Sequence, residues 1–338
     1  MAGTVLVTGG SGYIAGYLIR QLVREGWTVH TTIRSLGREA EVRETLGIAG
    51  PELQFFAADL MNDAGWADAV AGCTHVAHVA SPFPPGAIKH EDDLIVPARE
   101  GALRALRFAR EAGVQRFVQT SSVAAIAYGR DDLDRPFTEA DWSDMTSPNV
   151  AAYPKSKTIA ERAARDWMTA NGGAMEYCSI NPAAVLGPVL SADYSASIEF
   201  VKRAIDGSVP GFPRLGFAVV DVRDLADLHV RALTVPGLAN ERFIAAGRFL
   251  MMNEVGQILR DRLGPDARKV PKRNIPDFAV RLIALFDGSL RQVLGELGRV
   301  RAVDSSHALE VFGWQTRPIE DSIVDTARSL IDRGIVKI

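Results

Sequence analysis

The stretch Thr4 to Gly16, TVLVTGGSGYIAG, constrains this chain more than any other. An apolar run rich in β-branched residues passes through Gly9, Gly10 and Gly12 into a segment with helical apolar periodicity, the pattern of a buried strand, a tight turn and a helix. Gly9 permits the tight turn and Gly12 lets backbone approach a ligand closely, while Ala15 stands where a third glycine would allow close helix-to-strand packing. The N-terminus of the following helix favours negative charge. A glycine-rich turn without a ligand is one reading of this pattern. The other is a dinucleotide site with its pyrophosphate on the turn, and the strand before and helix after meet its structural requirement.

The alternation continues. Short β-rich runs, WTVHTTI, LQFFAADL, THVAHVAS, RFVQTSS and MEYCSINPAAVL, are separated by segments with helical periodicity near Gly12–Glu25, around LIVPAREGALRALRFAREAG and from about Pro154. Strand, helix and strand in series imply parallel pairing with crossovers, and runs that are apolar nearly throughout imply burial on both faces. The expected fold is α/β, a doubly wound parallel sheet. FAVVDVRDLADLHVRALTVP reads as a strand feeding a helix, so residues 217–247 are expected to return to the first domain, residues 1–187. Residues 188–338, mainly 188–216 and 248–338, lack regular alternation and are expected to form a smaller, mostly C-terminal substrate-binding region.

Composition narrows the function. A net charge of -3 argues against a chain built to attract nucleic acid. Cys73 and Cys178 lie far apart without a CxxC spacing, which gives no redox or disulfide framework and suits a reducing compartment. The N-terminus enters an apolar strand directly and no apolar run approaches membrane-spanning length, so a soluble cytoplasmic protein with no membrane partner is expected. His75 and His78 fall on opposite faces of a strand, which leaves no metal site to expect.

The end of the second strand bears on which dinucleotide fits. NAD sites usually carry a carboxylate there for the ribose 2′-hydroxyl, and NADP sites a cation for the 2′-phosphate. Here the strand ends Thr31-Thr32-Ile33-Arg34, with Arg38 close behind. Arg34 offers a planar fork suited to phosphate, Arg38 is either its assistant or a solvated loop charge, and NADP(H) is the expected cofactor.

Tyr153-Pro154-Lys155-Ser156-Lys157 places a phenol and an ammonium on one face of a helix that Pro154 helps to start. Taken in order, TGGSGYIA, Asp59-Leu60, HVASP, QTSSVAA, YPKSK and INPAAVLGP resemble the extended short-chain dehydrogenase/reductase superfamily with its Rossmann sheet. FTEADWSD, VDVRDLADLHVRAL and FGWQTRPIEDSIVDTARSLIDRG are similar to its dihydroflavonol reductase, cinnamoyl-CoA reductase and aldehyde reductase branch. The resemblance implies that Tyr153 protonates the oxygen of a carbonyl as hydride arrives from the nicotinamide. A free phenol has a pKa of about 10, and Lys157 would supply the charge that brings it toward working pH. Ser122, with Ser121 the alternative, would hydrogen-bond the carbonyl oxygen.

The same resemblance places Gly9, Ser11, Gly12, Tyr13 and Ile14 at the pyrophosphate, and Asp59 and Leu60 at the adenine. It puts Ala80 and Ser81 along the cofactor groove, and Asn181, Pro182, Ala183 and Val185 beside the nicotinamide. Many superfamily members have an asparagine on the helix before the serine strand as part of a proton relay; here that helix reads Pro97-Ala98-Arg99-Glu100-Gly101, so water or the ribose would carry the proton. Phe83, Trp142, Tyr194, Phe212 and Phe217 are candidates for the wall of a pocket for an apolar or aromatic substrate, though residues of this kind are more often core than pocket wall. The expected activity is reversible NADPH-dependent reduction of aldehydes or ketones, by a monomer or homodimer acting on a small molecule. A nucleotide-sugar epimerase, a 3β-hydroxysteroid-type dehydrogenase and a non-catalytic NADP sensor are the competing readings.

Overall fold

The computed structural model describes residues 3–81, 90–130, 134–148, 150–285 and 293–338. In chain order the first part runs β1 (Thr4–Val7), α1 (Tyr13–Arg24), β2 (Thr28–Ile33), α2 (Glu39–Leu46), β3 (Leu53–Ala57), α3 (Trp66–Val70), β4 (His75–His78), α4 (Asp92–Glu111), β5 (Arg116–Thr120), α5 (Ala152–Asn171) and β6 (Glu176–Pro182). It continues through β7 (Ala184–Leu186), α6 (Ala196–Ile205), β8 (Gly216–Asp221), α7 (Val222–Thr234), β9 (Glu241–Ala245), β10 (Phe249–Met251), α8 (Met252–Leu263), α9 (Asp277–Ile283), α10 (Ser306–Phe312) and α11 (Ile319–Asp332).

Seven strands form one parallel sheet in the order β3-β2-β1-β4-β5-β6-β9. Successive side chains leave opposite faces of a strand, so each strand feeds two cores. Val5, Val7, Val29, Val118 and Ile180 pack with α1, α2 and α7, whereas Leu6, Val76, Phe117 and Tyr177 pack with α3, α4 and α5. Strand order reverses between β1 and β4, so the chain departs in opposite directions there and opens a crevice beyond the carboxyl ends of the strands.

Two strands depart from the sequence expectation. MEYCSINPAAVL, read as one strand, divides after Pro182: Ala183 N–H donates to Ala245 O, and β7 then joins β8 and the antiparallel β10 in a separate three-stranded sheet. Pro182 has no N–H to continue a ladder and suits a strand end. The seventh strand of the main sheet, β9, was not anticipated from ERFIA, because its buried Arg242 interrupts the apolar run that marks an interior strand.

The C-terminal elements are tied to the sheet by charge as well as packing. Asp221 caps α7 by accepting from Arg223 N–H at 2.8 Å, and the Arg223 guanidinium reaches Asp325 on α11 at 2.7 Å. Among the described residues no helix is long and apolar enough to cross a membrane.

Candidate active site

The glycine turn is held from three sides. Gly9 has φ +77, and a Cβ there would lie 3.1 Å from the Ala80 Cα; a Cβ on Gly10 would fall 2.2 Å from Thr31 Oγ1. Only glycine lets β2 and the end of β4 approach this closely. Gly9 N–H donates to Thr32 Oγ1 at 3.0 Å and Gly10 N–H to Thr32 O at 2.9 Å. Gly12 occupies the cap position of α1 with no side-chain cap, leaving the first helical N–H groups to face the crevice. The Tyr13 ring is buried against Tyr17, and its hydroxyl has no hydrogen-bond partner among the described residues.

Thr8 fastens β4 to this turn. Its Oγ1 accepts from Val79 N–H and Ala80 N–H, both at 3.0 Å, so its proton goes to His78 Nδ1 at 3.1 Å. Burial, aided by the Lys157 charge, pushes the His78 imidazole down to about 3. His229 is also buried and held down to about 4; its Nδ1–H donates to Leu225 O at 2.8 Å and its Nε2 accepts from Thr120 Oγ1 at 2.7 Å. Both stay neutral in the fold well below the 6.5 of a free imidazole, so the unfolded chain binds more protons once the pH drops past 6.5. Their contribution is complete above that value and is lost as pH falls toward 4 and 3, at about 1.4 kcal/mol per pH unit for each histidine. Calorimetry is expected to show the thermal midpoint falling between about pH 7 and pH 5, before carboxylates titrate. A midpoint flat over that interval would contradict neutral burial of the pair.

Beside the turn lies an open groove lined by Gly10, Ser11, Gly12, Arg38, Glu41 and Asp193. Arg38 is held there by Glu41 at 2.9 Å and Asp193 at 3.7 Å. Arg34 follows β2 directly, is exposed, and pairs with no carboxylate among the described residues. Asp59 and Leu60 follow β3. The Asp59 carboxylate accepts from Met61 N–H at 2.8 Å to close its own turn, and Leu60 packs on Gly101 of α4.

The serine pair ends β5 and divides its work. Ser121 Oγ donates to buried Glu161 at 2.5 Å, whereas Ser122 Oγ accepts from Ala124 N–H at 3.1 Å and reaches Pro182 O at 3.4 Å. Tyr153, Pro154 and Lys157 occupy the first turns of α5, with Lys157 Nζ 5.8 Å from the Tyr153 ring centroid. Lys157 is buried and donates to Ser81 Oγ at 3.1 Å, and no carboxylate pairs with it among the described residues. Lys155 turns outward to Glu91 at 2.7 Å. The carboxyl ends of β1, β4, β5 and β6 therefore bring the glycine turn, Ala80 and Ser81, Ser122, and Pro182 around one crevice, with Val185 just beyond in β7.

Of the aromatic candidates, half-buried Trp142 has the Arg242 guanidinium 3.9 Å and the Arg162 guanidinium 4.6 Å from its ring centroid. Phe212 is core, buried beneath Gly256 and against Phe200. Phe217 packs on the other side of Phe200, and half-buried Tyr194 donates to Glu199 at 3.2 Å. Phe83 lies outside the described residues. Sequence reasoning passed over Tyr128, which follows the short helical turn after Ser122. Its ring lies 5.3 Å from the Arg301 guanidinium, burial pushes its phenol up to about 12, and its hydroxyl makes no hydrogen bond to the described residues. An aromatic residue shortly after the serine pair was the available signal.

Residues 5–246 match the model of the NAD dependent epimerase/dehydratase family. The chain belongs to that family. The epimerase/dehydratase match ends just after β9, so α8 to α11 lie beyond it. Relatives include cinnamoyl-CoA reductase CAD2 of Medicago truncatula, 34% identical over 77% of this chain and 81% of its own length. Dihydroflavonol 4-reductase of Hordeum vulgare is 29% identical over 99% of this chain and 90% of its own. Among solved structures, vestitone reductase from alfalfa (Medicago sativa) aligns with a TM-score of 0.77 at 25% identity, covering 99% of this chain and 100% of that one. Yeast methylglyoxal/isovaleraldehyde reductase Gre2, complexed with NADPH, has a TM-score of 0.81 at 24% identity over 98% of this chain and 100% of its own, a likeness of fold alone.

Proposed function

We propose that this protein is an NADP(H)-dependent oxidoreductase that reduces an aldehyde or ketone to an alcohol, reversibly. The observation that supports this reading is Tyr153 and Lys157 on the first turns of α5, with buried Lys157 bonded to Ser81 at the end of β4, and Ser122 at the end of the neighbouring β5. The reductase relatives support it. The residues present fit the cofactor: Gly12, where a Cβ would meet only the Gly9 carbonyl, leaves the N-terminus of α1 open, and exposed Arg34 stands where a carboxylate would repel a 2′-phosphate.

The backbone N–H groups of Ser11, Tyr13 and Ile14 would hold the pyrophosphate on the turn that Gly9 and Gly12 shape, with Arg34 at the 2′-phosphate and Asp59 and Leu60 at the adenine side. Ala80, Ser81 and Lys157 would face the ribose, with Pro182 and Val185 bordering the nicotinamide. When bound, the reduced cofactor supplies the hydride for the carbonyl carbon. Ser122 Oγ donates a hydrogen bond to the carbonyl oxygen, so charge developing there meets a fixed donor. Tyr153 transfers its phenolic proton to that oxygen, and Lys157, buried and without a carboxylate partner among the described residues, stabilises the phenolate left behind. With no asparagine on the α4 stretch Pro97–Gly101, water or the ribose returns the proton to Tyr153.

The proposed substrate is an apolar or aromatic carbonyl compound, with the Tyr128 ring beside it. The proposed organisation keeps residues 1–187 and 217–247 as the cofactor domain of a cytoplasmic monomer or homodimer. Tyr128→Phe is expected to raise KM by about 3- to 10-fold with kcat little changed, the scale of one neutral hydrogen bond. Steady-state kinetics with the preferred carbonyl compound checks this, and an unchanged KM would remove Tyr128 from the pocket.

NADPH deuterated at the transferable position tests the chemistry. The reductase reading expects one deuterium on the former carbonyl carbon of the alcohol for each NADP+ formed. An epimerase would return its cofactor unchanged and leave no label in product, and a sensor would form no product.

A further inference from the structure

We infer that Glu161, together with Arg242, is a positioning unit that fixes the serine strand end against the helix bearing Tyr153 and Lys157. This rests on the reductase reading for its catalytic consequence and on geometry for its existence.

Glu161 follows Lys157 by four residues and Tyr153 by eight, so all three lie along one face of α5. It is 0% exposed, and a carboxylate so placed is strongly disfavoured unless paired and hydrogen-bonded. Oε2 accepts from Ser121 Oγ at 2.5 Å and from Asn181 Nδ2 at 2.8 Å. Oε1 accepts from Arg242 Nε at 2.7 Å, Ser179 Oγ at 3.0 Å and Arg165 Nε at 3.3 Å. Burial alone would raise this carboxyl; the Arg242 charge and these donors hold it below the ordinary range.

The cluster grips Ser122 from two directions. From beneath, Asn181 Nδ2 bonded to Glu161 also donates to the Ser122 carbonyl at 3.1 Å. From the side, Arg242 donates to Glu139 O at 2.6 Å and Asp141 O at 2.7 Å and covers Trp142. The next residue, Ser143, donates through Oγ to Ala124 O at 2.8 Å and through N–H to Ala125 O at 3.0 Å, closing the turn that Ser122 caps. One carboxylate on α5 thus joins β5, β6, β9 and the loop after Ser122. An apolar cluster of equal volume could stabilise the fold as well, but only directional bonds specify one relative placement of Ser122 and Tyr153.

Glu161→Gln keeps the volume and turns one acceptor into a donor facing other donors. In the full-length protein it is expected to lower kcat by about 10- to 100-fold, the scale of a misplaced catalytic group, while NADPH affinity by fluorescence titration stays within about 3-fold. Glu161→Asp should recover part of the loss, and Ser121→Ala, which leaves the ion pair intact, should lower kcat by about 3- to 10-fold. A merely structural role would lower the thermal midpoint yet leave kcat per NADPH-binding site unchanged. If Glu161→Gln does not fold, Ser121→Ala decides, and wild-type kcat in that variant overturns the inference. The crystal structure of Glu161→Gln, or of Ser121→Ala in its place, is expected to show Ser122 Oγ displaced relative to Tyr153. An unmoved pair overturns the inference whatever the turnover, whereas a wild-type protein that turns over no carbonyl compound overturns the reductase reading instead.

Discussion

Tyr153→Phe is expected to lower kcat/KM for carbonyl reduction by about 100- to 10,000-fold, the range of a lost general acid, with NADPH affinity unchanged. The phenylalanine keeps the ring over which Lys157 sits, at 5.8 Å from Nζ to centroid, and Pro154 still begins the helix. Lys157 keeps its hydrogen bond to Ser81, so the cofactor side of the crevice is left in place. What is removed is the hydroxyl, and with it the transferable proton. Single-turnover measurement with saturating NADPH separates this loss from binding, and a variant retaining more than about a tenth of wild-type turnover would place the acid elsewhere.

Arg34→Ala is expected to weaken NADPH binding by about 10- to 100-fold while leaving NADH binding within about 2-fold, because a charge-assisted contact to the 2′-phosphate is lost and NADH has none. Arg38→Ala should have a much smaller effect. Its guanidinium is already engaged by Glu41 at 2.9 Å and lies near Asp193, and replacing it leaves Arg34 untouched. Fluorescence titration of both cofactors against both variants checks the ranking. A larger loss in Arg38→Ala would mean that the groove beside the glycine turn, with its two carboxylates, opens to admit the phosphate.

Most of what positions the crevice could be read from the chain because it is local. The glycine turn, the apolar strands and the start of α5 each depend on residues adjacent in sequence, and the first six strands of the main sheet were expected from their runs. Long-range partners were not legible. Arg242 makes β9 look like a surface segment until Glu161, distant in sequence, is placed beside it. The break after Pro182 depends on β8 and β10, which the chain reaches only later. Ser121 and Ser122 are alike in the sequence, and the Glu161 carboxylate that engages Ser121 gives the two hydroxyls different surroundings. The surroundings of the aromatic candidates were hidden for a related reason: bulk marks burial, but the guanidinium groups beside Trp142 come from α5 and β9.

The most direct test follows oxidation of NADPH and, in parallel, NADH by the purified wild-type protein across aromatic and aliphatic aldehydes, ketones and diketones. The account predicts turnover that requires a carbonyl compound, is faster with NADPH and yields the matching alcohol. Tight NADPH binding with no cofactor oxidised by any of these compounds would contradict it and favour a sensor or a sugar-nucleotide enzyme, and faster turnover with NADH would contradict the role given to Arg34.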